Sequence, residues 1–458
     1  MSTSAIPDIT PSPETTGALS SAQASKGKVF SWALWDWGTQ PFATVITTFV
    51  FAVYLTSSAF GPKDEVTMKL AWATGIAGLF IALLAPVLGQ GSDRSGKRMF
   101  HLRWQTWLLA AICAAMYFVA PAPEYFLLGA ILLGAGNVVS EIANVNYYAA
   151  IDQVSTPRNV GRVSGLGWGL GYLGGISILL LIIALMGSGF DADQVRLSML
   201  LCGAWTLVFS IPIFIAIKDR RPAHPAPSLG IVGSYRALFS SIKRLSRTAP
   251  NTLFFLIAAA LFRDGLAGVF TFGGVLAAGT FGFEFSEVVI FGVAANVVAG
   301  VSTILFGLLD DRLGPKSVII GSLVALVLLG LGVFVFHDGG KPVFWGLGLA
   351  MCLFVGPAQS ASRSFLARLI PKGMSGEMFG LYATTGRAVS FLAPLMFGLA
   401  IALGLAVTGA GDEESAQHWG ILGIVLVLLI GLIVALFVKE PPKHTLPPED
   451  ELVAARVG

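Results

Sequence analysis

Twelve apolar runs divide the sequence, near 30–57, 67–90, 102–120, 125–149, 162–187, 195–217, 251–280, 286–309, 317–337, 342–369, 377–408 and 418–438. A helix rises ~1.5 Å per residue, so ~20 residues cross the ~30 Å hydrocarbon core of a bilayer, and each run is about that long or longer. Of the 458 residues 55% are hydrophobic and only 12% charged. A soluble domain carries about 25% charged residues and could not hide this much apolar surface. The fold class is therefore an all-α membrane protein with twelve transmembrane helices.

A polar knot separates the second and third runs, Gly89-Gln-Gly-Ser-Asp-Arg-Ser-Gly-Lys-Arg98, and it returns between the eighth and ninth as Gly307-Leu-Leu-Asp-Asp-Arg-Leu-Gly-Pro-Lys316. Asp93 and Asp311 lie 218 positions apart (311 − 93), nearly half the chain, with Gly, Arg and Gly in the same register. Two similar six-helix halves in parallel orientation follow. The double motif resembles the loop between helices 2 and 3 of the major facilitator transporters and its repeat between helices 8 and 9. That resemblance implies two pseudo-symmetric bundles around a central cavity, with Gly89, Asp93, Arg94, Gly96, Asp311, Arg312 and Gly314 forming a cytoplasmic gate. Each Asp is expected to cap a helix and each Arg to reach an acid.

The reading divides the chain into a disordered tail over 1–27, bundles over 28–217 and 251–438, a linker over 218–250 and a tail over 439–458. In the linker Val232, Tyr235, Leu238, Phe239, Ile242 and Leu245 recur at helical spacing beside Arg236, Lys243, Arg244 and Arg247. This reads as an interfacial amphipathic helix, with a disordered linker as the alternative. Lys and Arg set the orientation. If both termini are cytoplasmic, the inner side holds most of them, among them Lys26, Arg94, Arg98, Arg158, Arg162, Lys218, Arg220, Arg312, Lys316, Arg368, Lys372, Lys439 and Lys443, while the outer side holds Lys63, Lys69, Arg196 and Lys341. Outer loops collect acids such as Asp191, Asp412, Glu413 and Glu414.

Polar groups inside a bilayer need a partner, a cavity or a function. Here they form helical stripes: Asp36, Gln40 and Thr44 with Thr47 or Thr48 on the first helix, and Asn137, Ser140, Glu141, Asn144 and Tyr148 on the fourth. Arg263 and Asp264 lie on the seventh, Gln359, Ser360, Arg363 and Ser364 on the tenth, and Arg387 on the eleventh. Asp264 sits ~100° around the helix from Arg263, so one of the two is expected to anchor a neighbouring helix. Asp36, among Trp32, Trp35 and Trp37, is either structural or functional, and those indoles could form an interfacial belt. Arg387 either neutralises an acid across the interface or binds substrate. Helices 1, 4, 7 and 10 face the cavity in the major facilitator fold, as the resemblance implies.

The fifth helix, Gly161-Arg-Val-Ser-Gly-Leu-Gly-Trp-Gly-Leu-Gly-Tyr-Leu-Gly-Gly175, has glycines at spacings that let helices approach closely, and Gly376-Glu-Met-Phe-Gly-Leu381 echoes it. Trp32-Ala-Leu-Trp-Asp-Trp37 with Phe42 to Phe51, together with Gly161 to Trp168, resembles the vacuole effluxer family, a major facilitator branch whose fungal members are associated with amino-acid efflux. The departure is Gly38-Thr39-Gln40-Pro41, where Pro41 should kink the helix.

The resemblance implies a secondary transporter, symporter or antiporter, moving a small polar solute, an amino acid, by alternating access and coupled to protons. Arg263 or Arg363 would hold the carboxylate, Glu141 or Asp36 the ammonium, and Glu141 would carry the proton. Two alternatives stay open: a drug or metabolite exporter, suggested by the aromatics Tyr147, Tyr148, Phe262 and Phe270, and a non-transporting sensor or scaffold. No enzyme motif, metal-ligand pairing, phosphate loop or cofactor site is read, and Cys113, Cys202 and Cys352 are taken as packing residues. The expected partners are the solute, protons and lipid, not nucleic acid; the expected state is a monomer in the bacterial cell (inner) membrane.

Overall fold

The computed structural model describes residues 19–20, 23–187, 191–219, 230–371, 373–409 and 416–440. Most of the terminal tails, the Pro-rich start of the linker with Arg220, Lys372, and the acids Asp412 to Glu414 lie outside the described residues. The membrane helices are α1 (Lys26–Leu55), α2 (Lys63–Ser95), α3 (Arg98–Ala115), α4 (Phe126–Ala149), α5 (Val160–Met186), α6 (Ala192–Ala216), α7 (Pro250–Gly279), α8 (Phe285–Leu313), α9 (Pro315–Val335), α10 (Gly340–Leu369), α11 (Ser375–Thr408) and α12 (Gly420–Phe437). Among the described residues eleven are long and apolar enough by themselves to span a bilayer. The twelfth, α3, is shorter and begins with Arg98, His101, Arg103 and Gln105, but it packs in the bundle against α4 and α6.

In three helices a proline withholds a backbone donor. Pro41 cannot bond the Trp37 carbonyl, and Trp205 Nε1 donates to that oxygen instead at 3.4 Å. Beyond Pro41 the helix widens into a π-helix over Phe42–Phe49, closed by Val50 N–H to the Val45 carbonyl at 2.8 Å. Pro86 similarly frees the Ala82 carbonyl in α2. Thr384 Oγ1 of α11 donates to it at 2.9 Å, a side chain from the other half replacing a helix bond. In α11, Pro394 has no N–H to give the Ser390 carbonyl, and the helix stops at Val389 and restarts at Leu392. The sequence suggested an unbroken span there.

α1 to α6 form one half and α7 to α12 the other. The halves meet along two related seams, α2 against α11 and α5 against α8. The α5 glycines divide between two neighbours. Gly161, Gly165 and Gly169 press on Asp310, Gly307 and Ile304 of α8, while Gly167, Gly171 and Gly174 press on Trp32, Asp36 and Trp37 of α1. Without side chains at these positions one helix is in close contact with two at once.

Between the halves Ile231–Thr248 forms the connector helix, packed against α2 and α7. Leu238 and Leu245 are buried and Tyr235 Oη donates to the Leu83 carbonyl at 2.7 Å. Val232 and Phe239, grouped with them by spacing, point away from the protein. α1 starts, and α2, α8, α10 and α12 end, on a single side of the bundle, which we call the basic face after Arg94, Arg98, Arg162, Arg244, Arg312, Arg368 and Lys439.

A Cβ on Gly174 would sit 2.5 Å from the Trp37 carbonyl oxygen, whereas nothing lies within 4 Å of one on Gly75. Overpacking costs about 1–3 kcal/mol. In thermal melts of detergent-purified protein, Gly174→Val should therefore lower the midpoint by several degrees and Gly75→Val should not; equal midpoints would refute the packing of α5 on α1.

Candidate functional site

The repeated motif closes the basic face by exchanging helix caps between halves. The first N–H groups of a helix have no partner in the helix and suit a carboxylate. Asp93, at the end of α2, accepts from the N–H groups of Gly376 and Glu377 at the start of α11, both at 2.9 Å. Asp311, at the end of α8, accepts from the N–H groups of Gly161 and Arg162 at the start of α5, at 2.8 and 3.1 Å. Gly89 and Gly307, equivalent in the two copies, permit the approach: a Cβ on either would overlap the carbonyl of Gly376 or Gly161. Gly96 (φ 62°) and Gly314 (φ 92°) lie in the left-handed region where the chain leaves α2 and α8.

The arginines that steady these carboxylates are not those of the motif's Asp-Arg pairs. Arg98 binds Asp93 at 2.8 Å and Asp152 at 2.9 Å, and Ser375 Oγ donates to Asp152 from the other half. Arg368 binds Asp310 at 2.7 Å and reaches Asp311 at 3.5 Å; Ser364 also donates to Asp310. Gln90 adds a bond to Glu377 at 3.2 Å. Arg94 and Arg312 make no ion pair among the described residues, so the expectation that each reaches an acid does not hold in this conformation.

Behind these caps lies a layer of charged side chains. Arg363 of α10 is 1% exposed. Its Nε donates to Ser164 Oγ at 2.9 Å and its Nη2 to the Ser164 carbonyl at 2.6 Å, both on α5; Ser360 and Ser164 bond beside it. Asp36 lies 3.8 Å from Nη1 and accepts from Gln40 at 3.3 Å. Trp32 and Trp35 are buried around this point rather than placed in an interfacial belt. Glu141 of α4 pairs with Arg387 of α11 at 2.6 Å, across the halves, each side chain about a third exposed. Arg263 lies over the Tyr382 ring at 3.8 Å and donates to its carbonyl, and among the described residues it makes no ion pair.

Asp264, one residue on, points elsewhere. It accepts from Ala393 N–H at 2.6 Å and so caps the restarted segment of α11. It is the anchor of the Arg263 and Asp264 pair, not a ligand-facing group.

On the far side of this layer from the basic face is a cavity of about 440 Å³. Gln40 and Thr44 line it, with Thr48, Tyr172 and Asn296 as further polar groups and Phe49, Phe270, Phe291, Phe344 and Met351 among its apolar walls. Arg263 lies two turns below Phe270 on α7, about 10 Å by helix rise. Gln359 accepts weakly from Tyr172 at 3.5 Å, and Asn137 bonds its own helix at Leu133. Asn144 is half-buried on α4. Tyr147 and Phe262, read as cavity aromatics, are fully buried, and Arg363 is sealed from the cavity. Tyr172 and Asn296 were missed; both sit on helical faces otherwise filled by small or apolar residues.

The matching family model is described as vacuole effluxer Atg22 like and covers residues 149–443. The chain is similar to the "Uncharacterized MFS-type transporter YxiO" of Bacillus subtilis, 26% identical over 90% of this chain and 94% of that one. It is also similar to autophagy-related protein 22 of Yarrowia lipolytica, 26% identical over 68% of this chain but only 56% of the fungal protein. In fold it resembles a bacterial homologue of the iron transporter ferroportin in an outward-facing state (TM-score 0.64, 18% identity, 90% of this chain and 98% of that one). It also resembles the proton:xylose symporter XylE (TM-score 0.67, 13% identity, 93% and 98%). With a family match over more than half its length and this helical architecture, the chain belongs to the vacuole effluxer Atg22-like family and has the major facilitator fold.

Proposed function

We propose that this protein is a secondary transporter that moves an amino acid by alternating access, held in this structure with its cytoplasmic side closed. The observation that carries the reading is one-sidedness: caps and ion pairs seal the basic face, while the cavity lies beyond them toward the other side. The excess of Lys and Arg on the sealed face supports assigning it to the cytoplasm, with both termini there, in a cell membrane. Opening that face requires α11 to part from Asp93 and α5 from Asp311, as rocking of one half against the other would do.

Arg263 is the candidate for the solute carboxylate. Among the described residues it is a cation without a carboxylate partner, and a guanidinium binds a carboxylate in a bidentate pair. The Glu141–Arg387 pair joins α4 to α11, so a proton arriving on Glu141 would loosen one tie between the halves and couple protons to the rocking. A second reading, an exporter of apolar metabolites or drugs, draws on the cavity wall, where no ionised side chain stands among Phe49, Phe270, Phe291, Phe344 and Met351.

Two experiments test these assignments. A charge-assisted hydrogen bond is worth about 1.5–3 kcal/mol, so in proteoliposomes Arg263→Ala should weaken apparent amino-acid affinity by roughly 10- to 150-fold, with Arg263→Lys intermediate. Unchanged uptake would remove Arg263 from the site, and competition by apolar cations but not amino acids would favour the exporter. Each Asp cap is worth about 0.5–2 kcal/mol. In protein with its cysteines replaced, the buried Ser360→Cys should therefore react at least severalfold faster with an impermeant maleimide from the basic face once Asp93→Ala and Asp311→Ala are both present; an unchanged rate would show that the caps do not hold the gate.

A further inference from the structure

Building on the alternating-access reading, we infer that the N-terminal half carries a binding site for an organic ammonium or guanidinium group, an aromatic cage that Arg363 fills in this conformation. The guanidinium carbon of Arg363 lies 4.9 Å from the Trp32 ring, 5.6 Å from Tyr147, 5.0 Å from Tyr148 and 5.7 Å from Trp168. All four are within the ~6 Å over which a cation is drawn to an aromatic face. Asp36 supplies a carboxylate 3.8 Å from Nη1, too far for a hydrogen bond but well placed to balance charge.

Every wall of this cage belongs to the N-terminal half, and its hydrogen bonds and most of its ring contacts are made within that half, Tyr148 alone also meeting Phe379 of α11 at 5.9 Å. Trp32 Nε1 donates to the Tyr147 carbonyl at 3.1 Å, and Trp35 Nε1 to Thr106 Oγ1 at 3.0 Å. Tyr147 is stacked between Trp32 and Trp35 at 4.5 and 4.3 Å, and Tyr148 stacks on Trp168 at 6.3 Å. The occupant alone comes from the C-terminal half, on α10, and its two direct hydrogen bonds go to Ser164 across the seam.

When the seam opens at the basic face, Arg363 leaves with its half. A preformed cage and the Asp36 carboxylate then face the opening, with Gln40 as the bonded partner of Asp36. A buried carboxylate stripped of its cation is costly, so a mobile cation takes the vacated place. The ammonium of an amino acid is of the right class, and Arg363 and solute would then exclude one another, closing the gate only once the solute has left.

Methylguanidinium chloride is the probe, compared with sodium chloride at equal ionic strength. In thermal melts of purified protein, Arg363→Ala should gain a saturable rise of roughly 2–5 °C. Wild type, with its cage filled, should not, and adding Trp168→Leu should abolish the gain. A folded Arg363→Ala protein without that rise, or an equal rise in wild type, would overturn the inference. Should Arg363→Ala not fold, the Asp93→Ala, Asp311→Ala protein carrying Ser360→Cys keeps its arginine and gives a second readout. There methylguanidinium should speed maleimide labelling severalfold by occupying the cage of the opened state, and an unaltered rate would count against the cage. Neither arm measures transport, so a protein that binds the probe yet moves no amino acid sinks the transport reading alone.

Discussion

Four backbone N–H groups at the starts of α5 and α11 have no partner in their own helices, and each finds one in a carboxylate of the opposite half. Buried between the halves, an unsatisfied N–H costs about 1–3 kcal/mol. The reciprocal caps therefore do two things with one set of bonds: they complete two helices, and they tie the halves together at the basic face. The glycine packing of α5 on α8 and the Ser164–Arg363 contact depend on the halves being drawn this close, while the Arg98 and Arg368 ion pairs, each within one half, hold the carboxylates in place. On the alternating access we propose, a closure built from helix ends would open without unfolding, because water at the opened face could take over the exposed N–H groups.

Behind the caps, charges pair across the two halves. Glu141 with Arg387 and Asp36 with Arg363 are both shared between halves. Each acid belongs to the N-terminal half and each base to the C-terminal half. Parting the halves separates opposite charges at both places, which favours the closed state until something else supplies the missing charge. Arg263 is the cation of the layer that makes no ion pair among the described residues, which is why we propose it for the solute carboxylate. The proline-freed carbonyls of Trp37 and Ala82 show the same economy, each answered by a side chain from a neighbouring helix.

The sequence announces the architecture because hydropathy and motif repetition are local properties. The length of each apolar run, the two copies of the Asp-Arg knot and the glycines of α5 need no knowledge of neighbours. Asp93, Asp311, Gly89, Gly96 and Gly314 could be named in advance for the same reason. What stayed hidden is pairing across helices. Arg94 and Arg312 follow the motif's aspartates directly, ~100° around the helix, whereas Arg98 and Arg368 reach the carboxylates from other helices. Arg363 was legible as a polar group on a stripe, but that it would be enclosed by four aromatics depends on how α10 meets α1, α4 and α5. The role of Asp264 follows from the break in α11, whose signal was Pro394, overlooked inside an otherwise apolar run.

The central claim is that two exchanged caps hold the basic face shut. The most direct test is the distance between spin labels at the exposed positions Lys97→Cys and Ser317→Cys, one on each half, measured by electron double resonance in lipid with the native cysteines replaced. The account predicts one short, narrow distribution that acquires a longer component when Asp93 and Asp311 are both changed to Ala. Superimposable distributions with and without the two carboxylates would contradict it.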